Sequence, residues 1–294
     1  MEWIVLAVAS AIGLGFYDVM KKLSVGGNNV PIVLLLNTLF GTLLMSPVII
    51  MGLNEGNMGL GDSLGNHLLV VLKAVIVLSS WILGYFAIKH LPLTIQGPIN
   101  ASRPVMVLVG ALLVFGERLN WIQWIGILLG FASLYFISRI GSREGISMKH
   151  DRWLWMAIGA TALGAVSALY DKYLLSSRSF NPLEVQAWYS FYQLLIMSLV
   201  VLMLQRFSTT AREPFKWRWA ILGISLFLTG ADLCYFYSLS MQGAMIAVVS
   251  MIRRGSVLVS FAFGVLVLKE HNVRAKLVDL GILLISLVLL IVGS

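Results

Sequence analysis

Ten long apolar runs, separated by short polar breaks, fill this chain almost from end to end. No other feature restricts its fold so strongly. A run of roughly 20 mostly apolar residues is the length of helix that crosses a bilayer. Inside lipid the backbone must satisfy its own hydrogen bonds, so such runs form helices or a closed barrel. The period-two alternation of barrel strands is absent. The runs cover approximately 2–22, 31–53, 67–89, 93–116, 121–139, 153–175, 182–205, 217–239, 243–268 and 275–293. The longest connections, 52–67 and 137–152, are rich in glycine and polar residues and too short to hold a domain. The chain is 59% hydrophobic and 12% charged, against roughly half and a quarter for a soluble domain. The expected class is an all-α integral membrane protein with ten transmembrane helices.

Several chemistries are set aside at once. A single cysteine, Cys234, permits no internal disulfide and no Cys/His metal spacing. His67, His90, His150 and His271 all lie near span ends, and no paired acids or Ser/Lys arrangement lies within spans. An intramembrane enzyme is therefore the weaker alternative. No GxxxxGK[ST] loop is present, so ATP does not drive the chemistry. No cofactor is expected. The net charge of +8 is spread over many short loops, which is not a nucleic-acid footprint. The first run has no positive segment before it and ends in Asp18, Lys21 and Lys22 rather than at a cleavage site. It reads as a first span, not as a removable signal.

The chain repeats itself. Tyr17-Asp18 closes span one and Tyr170-Asp171 closes span six, a shift of 153. Tyr85-Phe86 recurs as Tyr235-Phe236, and Arg103 lands on Arg253, both with a shift of 150. Glu117 and Glu270 end spans four and nine, and a GILL run follows each, at 126–129 and 281–284. The expected halves are 1–141 and 142–294, joined in one membrane bundle. Five spans per half is an odd number, so the second half must enter the membrane from the opposite side. Two inverted five-helix repeats with a site near the midplane, between the halves, is a transporter architecture.

Two stretches, RPVMVLVGALLVFGERLNWIQWIGILLG (103–130) and RRGSVLVSFAFGVLVLKE (253–270), together with ten short-looped spans, resemble the drug/metabolite transporter superfamily, EamA type. The resemblance covers essentially the whole chain. It implies secondary transport of small metabolites, often export, through a pathway surrounded by spans one, three, four, six, eight and nine. Pro104 fits the family pattern, whereas the second copy carries Gly255 or Ser256 at that place. The glutamate that small multidrug resistance relatives carry within span one has no equivalent; the nearest acid is Asp18.

Of 21 basic residues, the loops after odd-numbered spans hold fourteen and the opposite side three, Arg118, Lys172 and Arg178. The positive-inside rule puts the odd loops in the cytoplasm and both termini outside. The family resemblance implies cytoplasmic termini.

Charges inside spans are costly and mark function. Arg253 and Arg254 are adjacent on a helix, about 100° apart, so one is expected to face the cavity and one a neighbouring helix. Arg253, as the mate of Arg103, is the favoured cavity residue. Planar guanidinium forks suit carboxylate or phosphate oxygens. The alternative is that they bond carbonyls freed where Gly97, Pro98, Pro104 or Gly255 breaks a helix. Asp232 is read as the sole acid well within a span, an arginine partner or a binder of ammonium or a proton. Lys73 either lines the pathway or snorkels to an interface. Asn100 lies one turn before Arg103. Trp81, Tyr85, Tyr235 and Tyr237 sit beside these charges and could stack on substrate. Asp18 and Asp171 read as interfacial pairs with the lysines that follow, Lys21 and Lys172, and Glu117 and Glu270 as architectural. Trp3, Trp121, Trp124, Trp153, Trp155, Trp217 and Trp219 read as an interfacial belt. GLG (13–15) and GAVSA (164–168) would allow close helix contacts.

The expected protein is a secondary transporter, an exporter or exchanger, in a bacterial-type inner membrane. Its partners would be the bilayer, a small anionic or zwitterionic substrate such as an amino acid, and a coupling proton or sodium ion. Substrate-binding candidates are Arg103, Arg253, Arg254, Asp232, Lys73, Asn100, Trp81, Tyr85 and Tyr235. A non-transporting scaffold or receptor is the other alternative.

Overall fold

The structure, a computed structural model, describes residues 2–54, 60, 63–115, 120–142, 151–174, 180–207, 213–241, 249 and 252–292. Glu117, Arg118, Arg143, His150, Arg178, Arg212 and Ser294 lie outside the described residues. Within them every regular element is a helix. In chain order these are α1 (Glu2–Val25), α2 (Val30–Asn54), α3 (Leu64–His90), α4 (Leu93–Ala101), α5 (Arg103–Phe115), α6 (Trp121–Ser142), α7 (Arg152–Lys172), α8 (Pro182–Phe207), α9 (Trp219–Ser240), α10 (Ser256–Leu266) and α11 (Val273–Val292). Six of them, α1, α2, α3, α6, α7 and α8, are long and apolar enough to cross a bilayer.

Polar residues set the helix starts. Asp151 accepts from the Trp153 N–H at 2.8 Å before α7. Asn120 and Gln123 exchange backbone-to-side-chain bonds of 2.9 and 3.0 Å at the start of α6. This is the reciprocal form of capping that satisfies orphan donors.

The ten expected spans are not ten continuous helices. Span four divides at Ser102 into α4 and α5. Pro104 has no N–H to offer the Asn100 carbonyl, and Ser102 instead turns back, its N–H reaching Pro98 O at 3.0 Å and its hydroxyl Ile99 O at 2.6 Å. Span nine divides at Gly255, between a helical turn at 252–254 and α10. There the Gly255 N–H reaches Ile252 O at 2.9 Å. Both arginine positions therefore sit at a break, not mid-helix.

Helices of the two halves interleave. α1 packs chiefly on α9 and α3 on α7, while α2 meets α8, α6 meets α11 and α4 meets α10. Exchanging the first five spans with the last five turns the α1–α9 pair into α7–α3, and maps the α2–α8 and α6–α11 pairs onto themselves. The α1–α10 and α5–α7 contacts exchange likewise, as do α3–α8 and α2–α9. At Gly15 a Cβ would lie 2.4 Å from that of Val259 and 2.9 Å from Ser256 O, so α1 and α10 touch almost backbone to backbone.

The outer surface is apolar, with Leu43, Leu68, Leu128, Leu199 and Val278 well exposed. Trp121, Trp124, Trp155, Trp217 and Trp219 are exposed at helix ends, as a belt requires. Trp153 instead stacks on His90, ring centroids 3.5 Å apart and nearly parallel.

Candidate functional site

A cavity of about 490 Å³ lies between the halves. Its wall draws on α1, α3, α4, α5, α7, α8, α9, residues 253–254 and α10. The α8 contribution, including Gln186 and Tyr189, adds span seven to the six spans that the family resemblance implies. Pro182, exposed at the start of α8, is part of the wall. The cavity thus reaches the end of the bundle where α7 stops and α8 begins.

Eight of the nine candidates line this space: Arg103, Arg253, Arg254, Asp232, Lys73, Asn100, Trp81 and Tyr235. Tyr85 does not. It is fully buried in the core behind the wall, among Tyr17, Val19 and Ile88. Its ring receives the Lys21 ammonium at 5.3 Å. An apolar ring with neighbours on every side packs rather than waits for substrate. Tyr237 is 64% exposed on the outside of the bundle. Tyr235 and Tyr237 differ by two positions, which on a helix puts them on opposing sides.

Both arginines of the adjacent pair line the cavity, contrary to the expectation of one. Both lie in the helical turn 252–254, immediately before the break at Gly255. Arg253 forms an ion pair with Asp232 and lies over the Tyr235 ring, 4.3 Å from its centroid. Arg254 has no ion pair among the described residues, and neither does Arg103, whose Nε is buried without a hydrogen-bond partner. Neither bonds a freed helix carbonyl among the described residues, the structural role considered above. Arg103 reaches its place across Gly164 of α7, where a Cβ would stand 2.7 Å from its Cζ and Nε. The small-residue run at 164–168 seats a guanidinium as well as a helix.

Lys73 does not snorkel. It is 8% exposed, bonds Asp171 at 2.5 Å and lies over the Tyr189 ring at 4.9 Å. Asn100 accepts from the Thr161 hydroxyl at 3.3 Å. Asp18 and Asp171 both line the cavity, Asp18 paired with Lys21 at 3.2 Å, as expected, and Asp171 with Lys73, while the side chain of Lys172 lies outside the described residues. Lys21, counted above among the loop cations, is itself 7% exposed and lines the cavity. Its ammonium also lies 4.5 Å from the Tyr17 ring centroid. Asp279 of α11 is 1% exposed within a span, and Lys276 beside it is fully buried, so Asp232 is not the sole intramembrane acid. Their place near a span end hid both. Tyr189 and Gln186 did not stand out in the sequence, because they are uncharged and lie among other polar and aromatic residues, Glu184, Trp188, Ser190, Tyr192 and Gln193.

The other end of the bundle is closed by polar contacts. Lys22 donates to Ile88 O at 2.7 Å and to Leu91 O at 2.5 Å. Glu270 accepts from the Leu93 and Thr94 N–H groups at 2.7 and 2.9 Å, and from the Thr94 hydroxyl. The Asn28 amide donates to Lys216 O at 2.7 Å and accepts from Lys216 N at 2.9 Å. Lys89 bonds Glu213 at 2.5 Å, and Arg218 bonds Leu23 O. All these residues belong to, or border, the connections after odd-numbered spans.

Among the described residues no cluster of His, Cys, Asp or Glu is arranged to hold a metal. The arrangement can hold a small polar molecule against two guanidinium groups that have no ion pair among the described residues, three ion pairs and four aromatic side chains, Tyr17, Trp81, Tyr189 and Tyr235.

Comparison with known proteins gives one family. The model of the EamA-like transporter family matches residues 1–139 and 151–292. No curated protein matches. A crystal structure of another protein, 17% identical, superposes with a TM-score of 0.64 over 97% of this chain and 94% of its own, which is a likeness of fold.

Proposed function

The chain belongs to the EamA-like transporter family, a multi-pass membrane transporter family, and from that premise we propose a specific activity. The protein is a secondary transporter, an exporter or exchanger, of a small anionic or zwitterionic organic metabolite. Substrate binds between two inverted repeats, 1–141 and 142–294. Access alternates as one half rocks against the other. The pairing of helices, unchanged in its main contacts when the halves are exchanged, supports inversion. The observation that carries the reading is the cavity between the halves, with Arg103 and Arg254 on its wall and no carboxylate paired to either among the described residues. The basic bias of the odd loops supports their placement in the cytoplasm, with termini outside. Two of those fourteen cations, Lys21 and Lys276, are buried in the protein, and the bias survives their removal. A phosphatase-active, non-fluorescent fusion at the C-terminus fits that orientation, and the opposite pair of results reverses it.

The test is uptake and efflux of a metabolite panel in proteoliposomes, with a proton or sodium gradient imposed in turn. Arg254→Gln and Arg103→Gln are each expected to cut transport about tenfold or more, the loss of a charge-assisted contact. Normal transport of a carboxylate substrate by both variants defeats the anion-site reading. An inactive native chain that still folds favours a scaffold.

Gly164→Ala gives an independent probe. The added Cβ pushes the Arg103 guanidinium aside, and because that group is the far end of a flexible side chain, folding survives. Transport is expected to fall several-fold while thermal unfolding moves little. A variant with native transport would place Arg103 outside the substrate's reach.

A further inference from the structure

We propose that the cavity is built for a compact dianion, a dicarboxylate or a phosphate monoester, and that it moves such anions by exchange. The inference rests on the transporter reading above and narrows it. Five cationic side chains line the cavity, and only three carboxylates. Each carboxylate already has its cation: Asp18 with Lys21, Asp171 with Lys73, and Asp232 with Arg253. Arg103 and Arg254 remain, with no ion pair among the described residues, although the already paired Asp18 also acts on Arg103. Arg254 lies within the positive fields of both Arg103 and Arg253.

The three classes of small metabolite fare differently here. A zwitterion brings an ammonium that finds every carboxylate taken and two bare guanidinium groups beside it. A monoanion neutralises one arginine and leaves the other exposed to its neighbours' repulsion. A dianion neutralises both. Dicarboxylates and phosphate esters share the chemistry that a guanidinium fork recognises, paired oxygens accepting parallel N–H bonds. The cavity, of about 490 Å³, has room for such a ligand together with water.

Exchange follows from the same excess of charge. Reorientation must close the cavity and expel its water. Empty, it would carry two uncompensated charges into a low-dielectric interior, which is costly. Loaded with a dianion it carries none. The loaded form therefore turns over and the empty form does not.

Proteoliposomes of the full-length chain are loaded inside with succinate, with glycerol phosphate, or with neither. Uptake of each labelled anion is then followed above about pH 6, where the phosphate ester carries its second charge. Glutamine serves as the zwitterion and lactate as the monoanion. Uptake of one dianion into vesicles preloaded with it, at least about tenfold above uptake into empty ones, is expected, and the two arms tell dicarboxylate from phosphate. The same dianion should raise the unfolding temperature of the native protein, and glutamine should not. Arg254→Gln should reduce dianion uptake on the order of a hundredfold, while Arg254→Lys, which keeps the charge, retains most of it. Equal uptake into empty vesicles overturns exchange. Glutamine or lactate moving in place of both dianions leaves a transporter but overturns the dianion. If no probe moves or binds, both the inference and the transporter reading fall.

Discussion

Replacing Asp232 with asparagine is expected to lower stability by about 3 kcal/mol, because removing one partner of a buried pair strands the other charge. Asp232 and Arg253 are only 18% and 20% exposed at their side chains. The cavity gives the stranded Arg253 some water, so the cost falls toward the lower end of the range known for fully buried pairs. The sharper expectation concerns the double variant. Asp232→Asn with Arg253→Gln removes both charges, and should recover most of the lost stability. It should not recover transport, since the second half then lacks the ion pair that shapes the wall around Arg254. Unfolding in detergent, as a double-mutant cycle, reads the stability; proteoliposome flux reads the rest. A single variant as stable as the native chain, or a double variant no more stable than the single, would show that the pair contributes no coupling.

Glu270→Ala is the second large effect. The first N–H groups of any helix have no partner within it. At α4, the carboxylate of Glu270 accepts from the Leu93 and Thr94 N–H groups, and from the Thr94 hydroxyl. Both residues are inaccessible, at 1% and 0%, so water cannot replace the lost acceptor. Each buried donor left unsatisfied costs about 1–3 kcal/mol, and the loss for the variant should reach about 3 kcal/mol. Glu270→Gln keeps one acceptor oxygen and should fall between. Hydrogen exchange at Leu93 and Thr94 should accelerate in the alanine variant before exchange elsewhere. Native protection at those two amides, with native thermal stability, would remove the cap from the argument.

Six of the spans were readable as long helices because bilayer thickness imposes a long apolar run that no local preference can hide. The break at Ser102 was half readable: Pro104 announced it, but a hydropathy window passes over one missing N–H. Arg103, Asp232 and the Arg253–Arg254 pair stood out as charges in apolar surroundings, and all line the cavity. Asp18, Asp171 and Lys21 did not stand out as cavity residues, because near a span end a charge reads as interfacial. Depth along the chain differs from depth in the bundle when a cavity opens from one end. The pairing of Lys73 with Asp171 joins residues 98 apart in sequence, and nothing local specifies it. Tyr85 misled for the opposite reason, since it shares its repeat position with a cavity tyrosine yet faces the core. The closing role of Glu270 was legible only as architecture, since its α4 partners lie 176 and 177 residues away.

The polar closure after the odd-numbered spans bears on speed rather than affinity. A carrier that opens at this end must release Lys22 from two part-buried carbonyls and Asn28 from Lys216 before water reaches them, along with the solvent-exposed contacts of Lys89 with Glu213 and Arg218 with Leu23. Bonds broken ahead of their replacement raise the enthalpy of the barrier. Entry from the open end breaks none of them. Flux through such a carrier therefore steepens with temperature, while the strength of substrate binding at the open face stays comparatively flat.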